Sequence, residues 1–184
     1  MFVKQEVAMK KAAIVMGSDS DLGKVRSAAL TLKELGIPFE MRIISAHRTP
    51  AEAADFAQNA EKNGFGVLIA AAGKAAHLAG ALAANTVLPV IGLPISSSTL
   101  DGLDALLSTV QMPSGMPVAT VAIDGARNAA LLAAQMLSLC DGELRERLRA
   151  LREKNTQAVL EKDRKLQDEL EKILEARQRW KSVI

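Results

Sequence analysis

Residues 66–95 read GVLIAAAGKAAHLAGALAANTVLPVIGLPI, and the order of patterns within them decides the fold class. The apolar run at 66–72 has the length of a strand and no polar face. An alanine- and glycine-rich helix is expected over 74–85, and a second apolar strand over 88–94. Strands that are apolar on both sides need cover on both faces of a sheet, which is the habit of parallel sheets with helical crossovers. The run is no membrane span, because Lys74, His77, Asn85, Pro89 and several glycines interrupt it.

The flanking sequence repeats the alternation. KAAIVMG (11–17) reads as a strand, and LGKVRSAALTLKELG (22–36) as a helix whose Leu22, Val25, Ala29, Leu32 and Leu35 fall near helical spacing. Gly36 and Pro38 end it. FEMRIIS (39–45) is the next strand, PAEAADFAQNAEKNG (50–64) the next helix, and PVATVAI (117–123) a fifth strand. The expected architecture is α/β: a three-layer, doubly wound parallel sheet with a long C-terminal helix. From Asp141 to about Arg179 the chain has no proline, and its leucines ride on a heavily charged background. Such a length, beyond about 25 residues, suggests a protruding helix or two helices. The organisation read from the chain is a leader at 1–10, a core at 11–140 and a helical extension at 141–184 that packs on neighbouring subunits.

Composition excludes several classes. The chain has 184 residues, enough for one well-buried domain, with 49% hydrophobic and 24% charged residues and a formal net charge of +2. Aromatic residues are 3% and tyrosine is absent, so stacking platforms for single-stranded nucleic acid are lacking. No nucleic-acid or membrane partner is expected. MFVKQEVAMKK lacks the apolar core of a signal peptide, so a cytoplasmic location is expected, and Met9 could serve as an alternative start. The lone Cys140 permits no internal disulfide and suits a reducing compartment; its setting reads as inert helix packing. One cysteine and two histidines make a four-ligand zinc site unlike this chain.

In an open parallel sheet, ligands bind beyond the carboxyl ends of the strands. The segments there are GSDSD (17–21), SAHRTP (45–50), AGKAAHL (72–78) and PISSSTLDG (94–102). Glycine, serine, aspartate, arginine, lysine and both histidines gather on that edge. The opposite turns, KELGIP, EKNGFG and NTVLP, carry only turn and capping residues.

Each segment also has a structural explanation. Ser18, Asp19, Ser20 and Asp21 are all helix caps by type, but a cap needs one or two. Four beside Gly17 fit an anion held at a helix N-terminus, with Asp21 taking ribose hydroxyls. In SAHRTP, Thr49, Pro50 and Glu52 form a capping box. That leaves His47 and Arg48 unexplained: an imidazole moves a proton near neutral pH, and a guanidinium holds phosphate bidentately. His77 either lines the site or makes a structural hydrogen bond. GxGxxG and GxSxG are absent, as is an aspartate at the end of the third strand, so dinucleotide, hydrolase and phospho-acceptor chemistries are not indicated.

GSDSD, SAHRTP, AAHL, LPVIGLP, LDGLDALLSTVQMPSGMPVATVAI and ARNAALLAAQML together resemble the bacterial class I N5-carboxyaminoimidazole ribonucleotide mutases of purine biosynthesis, over about residues 11 to 155. The resemblance implies a flavodoxin-like homo-octamer without metal or organic cofactor. The implied reaction isomerises N5-carboxyaminoimidazole ribonucleotide to the C4-carboxylated product. It implies His47 as general acid/base. It also implies a substrate site of Gly17, Ser18, Asp19, Asp21, Ser45, Ala46, Arg48, Gly73, Lys74, Ala75, Ala76, His77 and Leu78, closed by the 111–115 backbone. AGKAAHLAGAL departs from the AGGAAHLPGM of class I members at Lys74 and Ala79. A basic residue at the Lys74 position is typical of the related class II enzymes, which carboxylate aminoimidazole ribonucleotide directly but lack a histidine matching His77. Direct carboxylation and a non-catalytic nucleotide-binding module are the alternatives.

Overall fold

The computed structural model describes residues 9–98 and 100–181. The expected leader at 1–10 therefore lies, but for Met9 and Lys10, outside the described residues. The strands are β1 (Lys11–Met16), β2 (Phe39–Ile43), β3 (Phe65–Gly73), β4 (Val90–Ile95) and β5 (Ala119–Thr120). They form one parallel sheet in the order β2-β1-β3-β4-β5. The order reverses between β1 and β3, the position at which an open α/β sheet leaves a crevice.

The helices are α1 (Leu22–Glu34), α2 (Pro50–Asn59), α3 (Leu78–Ala83), α4 (Leu103–Val110), α5 (Ala126–Leu137) and α6 (Gly142–Lys181). α1 packs with α5 on one face of the sheet, and α2, α3 and α4 cover the other. Strand alternation sorts the core. Ala13, Val15, Leu68 and Ala70 meet Ala53, Phe56, Ala57, Leu78 and Leu82 of α2 and α3. Their neighbours Ile14 and Ile69 point the other way and are fully buried. Each such side chain contributes roughly 1.5–3 kcal/mol against its exposed state. β1 and β3 are thus clamped from both sides, as the apolar runs required.

Gly92 marks a close approach of α4 to the sheet. A Cβ there would overlap Thr109 Cγ2 and lie 2.9 Å from Val118 Cγ1. The absent side chain lets buried Thr109 sit against β4, where its hydroxyl donates to Ala105 O at 2.8 Å and reaches Ala76 O at 3.3 Å.

Several expectations change. The helix expected from 74 begins only at Leu78, because Lys74 takes a left-handed φ of 58° and the backbone turns through Ala76 N–Lys74 O and His77 N–Ala75 O bonds of 2.8 Å. β5 shrinks to two residues paired with Ile91 and Gly92 at the sheet edge. Cys140 is exposed just beyond α5 instead of packed. The C-terminal stretch is one continuous helix rather than two. Two compact units part between Arg145 and Glu146. Within the second, Leu160, Leu166, Leu170, Ile173 and Leu174 are exposed. No helix among the described residues is long and apolar enough to cross a membrane.

Candidate active site

The segments that follow β1, β2, β3 and β4 enclose a cleft of about 680 Å³ over the β1/β3 crevice. Each reaches it because a parallel strand ends there.

After β1, Ser18 caps a short 3-10 turn (Asp19–Asp21) that runs into α1; its Oγ accepts from Ser20 N at 3.3 Å and from Ser20 Oγ at 2.9 Å. Gly17, Ser18, Ser20, Asp21 and Lys24 line the cleft. Asp19 does not; it is exposed, and Oδ1 accepts from Ser18 Oγ at 3.2 Å. Burial pushes the Asp21 carboxyl above the ordinary 3.8, and the Ser20 hydrogen bond and the Lys24 charge offset only part of that.

After β2, the turn is locked by its own ends. Thr49 N donates to Ser45 O at 2.7 Å, while Thr49 Oγ1 accepts from Ser45 N and donates to Ser45 O, both at 3.0 Å. This corrects the capping box. Thr49 does occupy the N-cap of α2 with Pro50 in its first turn, but its hydroxyl makes no cap bond. Glu52 instead pairs with Arg42 at 2.8 Å. Arg48 Nη2 donates to Gly17 O at 2.8 Å and Nε to Ser45 Oγ at 3.3 Å, tying the β2 segment to the β1 segment. Ser45, Ala46, His47 and Arg48 all line the cleft. The His47 ring has no hydrogen-bond partner among the described residues.

After β3, Gly73, Lys74, Ala75, His77 and Leu78 line the cleft. Ala76 does not: it is 1% exposed, with its carbonyl facing Thr109. Neither the Lys74 ammonium nor the His77 ring has a hydrogen-bond partner among the described residues, so His77 lines the site without the structural bond that was its alternative. The 111–115 backbone, expected to close the site, is not part of the lining; Met112 Sδ and the His77 ring both pack on Gly80, where a Cβ would stand 3.1 Å and 3.0 Å from them.

The β4 side holds what sequence reasoning missed. Ser96 and Ser97 line the cleft. Ser96 N donates to Asp124 Oδ1 at 2.9 Å and Ser96 Oγ to Asp124 Oδ2 at 2.5 Å. Lys24 Nζ donates to Ser96 O at 2.6 Å and to Ser96 Oγ, and lies 3.5 Å from Asp124 Oδ2. Burial raises the Asp124 carboxyl, but the two Ser96 bonds and Lys24 outweigh it and hold it below the ordinary range. Serines after a strand were the one signal available, and they named no partner.

The cleft therefore offers two unpaired imidazoles, His47 and His77, a guanidinium with spare donors, an unpaired ammonium, and a serine-aspartate turn at a helix start. That set suits a small phosphorylated, hydroxylated ligand and a proton transfer. Among the described residues no three histidine, cysteine, aspartate or glutamate side chains are grouped so as to hold a metal ion.

The raised Asp21 carboxyl has a measurable consequence. The native state binds this proton more readily than the unfolded chain, so stability falls as pH rises from 3.8 through the native value. Above that window the penalty persists. Asp21→Asn is expected to raise the melting temperature of the ligand-free protein at pH 7, with the gain vanishing below pH 3.8. A thermal-unfolding series with pH checks it; an equal or lower melting temperature at pH 7 contradicts it.

The AIR carboxylase family model matches residues 11–158. The N5-carboxyaminoimidazole ribonucleotide mutase of Pyrococcus horikoshii is 52% identical over 168 residues, 91% of this chain and 95% of that one. Its counterpart from Thermotoga maritima is 50% identical over 159 residues, covering 86% and 93%. The crystal structure of Treponema denticola PurE superposes with a TM-score of 0.76 at 34% identity, over 84% of this chain and 97% of that one.

Proposed function

Because the chain belongs to the AIR carboxylase family, we propose that it is a purine-biosynthesis isomerase converting N5-carboxyaminoimidazole ribonucleotide to 4-carboxy-5-aminoimidazole ribonucleotide. The observation that carries this reading is the unpaired His47 imidazole in the same cleft as the Arg48 clamp and the Ser18–Asp21 turn. Arg48 and the turn bind the phosphate, and Asp21 takes the ribose hydroxyls. Gly73 to Leu78 borders the reacting end, with Lys74 and His77 facing the transferred carboxyl group.

In the first half-reaction His47, protonated, gives its proton to N5 as the carbamate C–N bond breaks, releasing carbon dioxide and the free amine. C4 then attacks carbon dioxide, forming the new C–C bond and leaving a hydrogen on C4. Neutral His47 removes that proton, the ring regains aromaticity, and the imidazolium is restored. Atoms and charge balance, with no proton taken from bulk water. Retention of the carbon dioxide beside C4 requires that the occupied cleft exclude solvent.

Lys74 favours a second reading, direct carboxylation of aminoimidazole ribonucleotide, since an unpaired ammonium lines the site on a strained backbone. Offering purified protein each substrate separates the two. Robust carboxylation of aminoimidazole ribonucleotide at low bicarbonate, with no use of the carbamate, would sink the isomerase.

The enzyme is further proposed to act in the cytoplasm as a homo-octamer. The exposed Leu103, Leu107 and Val110 of α4, and separately the exposed leucines of α6, support burial by other copies. In this proposal the 141–184 extension packs on neighbouring subunits. A sedimentation-equilibrium mass of eight 19.6 kDa chains is expected; a monomer mass at micromolar concentration contradicts it.

A further inference from the structure

We propose that Asp124 is a positioning residue that, through Ser96 and Lys24, fixes the β4 wall of the cleft and so sets affinity for the nucleotide. The proposal rests on the nucleotide reading above.

Two braces join the segments around the cleft. Arg48 to Gly17 O links the β2 segment to the β1 segment. The second runs from Lys24, at the start of α1, to Ser96, after β4, and so crosses the end of β3, which lies between β1 and β4 in the sheet. It spans the crevice where the substrate must lie. Every polar group of Ser96 is used: N–H and O–H on the Asp124 carboxylate, and C=O and Oγ receiving Lys24.

Lys24 is spent in the same way. An ammonium has three donors, and here its neighbours are Ser96 O, Ser96 Oγ and Asp124 Oδ2. Lys24 therefore borders the cleft as a fixed charge beside Asp21 and not as a phosphate ligand, which leaves that task to Arg48 and the 18–21 turn. Two backbone features hold the brace in place. Asp124 sits at a φ of 54°, which aspartate tolerates better than most residues, and its N–H donates to Pro94 O at 2.9 Å. Gly102, at a φ of 92°, packs so closely that a Cβ would stand 2.9 Å from Ser96 Cα. Ser96 is thus wedged between two left-handed positions, and the Asp124 carboxylate stands within ion-pair distance of Lys24, at 3.5 Å.

Asp124→Asn is the informative variant, because asparagine accepts the left-handed backbone and keeps the side-chain shape. Binding of 5-aminoimidazole ribonucleotide is measured by titration calorimetry, and kcat and KM with the carbamate substrate. Expected for Asp124→Asn is a rise in Kd and KM of about tenfold with kcat within about threefold of wild type. Lys24→Met should match it, and the double variant should be no worse than either single one. Unchanged Kd and KM, or a loss confined to kcat, would overturn the proposal. Should Asp124→Asn fail to fold, Lys24→Met carries the same expectation and the same refutation. Wild-type protein that bound no aminoimidazole ribonucleotide would overturn the nucleotide reading and the positioning role together.

Discussion

His47→Asn is expected to lower kcat by about 10²–10⁴-fold, the usual worth of a positioned acid/base, while leaving the Kd for aminoimidazole ribonucleotide within about threefold. The turn that carries His47 explains why the two effects separate. Its closure runs through Thr49 and Ser45 and its anchorage through Arg48 and Gly17, and the imidazole takes part in neither. Asparagine keeps a polar group of similar reach but cannot exchange a proton near neutral pH. In the proposed mechanism both half-reactions need that proton, given to N5 in the first and taken from C4 in the second, so no partial reaction should survive to turn over. A variant that lost binding in step with kcat would make His47 a ligand contact and remove it from the chemistry. Calorimetry beside steady-state kinetics decides between them.

Arg48→Met is the complementary case: KM and Kd are expected to rise by about 10–100-fold, as loss of a charge-assisted contact implies, with kcat at saturation reduced less than tenfold. Arg48 does two jobs at once. It holds Gly17 O at 2.8 Å and Ser45 Oγ at 3.3 Å, and it lines the cleft with N–H groups to spare. Arg48→Lys should recover only part of the loss, because a point-charge ammonium cannot bridge the Gly17 carbonyl and a phosphate as a planar fork does. Full recovery with lysine would show that charge alone is required and that the fork geometry is incidental.

These two residues were readable before any coordinates because local chemistry isolates them. Thr-Pro starts a helix, and what precedes it must earn its place otherwise. The apolar runs at 66–72 and 88–94 likewise announced central strands, since nothing but burial on both faces explains them. What stayed hidden depended on long-range partners. Glu52 has the spacing of a capping box, yet Arg42 on the adjacent strand outcompetes the local backbone for it. AGKAAHL continues without a stop signal into the α3 helix, and the left-handed turn at Lys74 keeps residues 74–77 out of that helix. Lys24 and Ser96 stand 72 positions apart, so a lysine on a helix and a serine in a loop gave no hint of a shared brace. Asp124 lies 28 positions beyond Ser96, and no motif marks it. Periodicity reports burial, capping chemistry reports helix ends, and neither reports which charge crosses a crevice.

The most direct test of the central claim uses carbamate substrate labelled with ¹³C in its N5 carboxyl group, turned over in unlabelled bicarbonate. Carboxyl transfer within one cleft should leave most of the label in the C4 carboxyl group of the product. Product carrying mainly unlabelled carboxyl would mean that carbon dioxide enters from solution, and would contradict the isomerase mechanism.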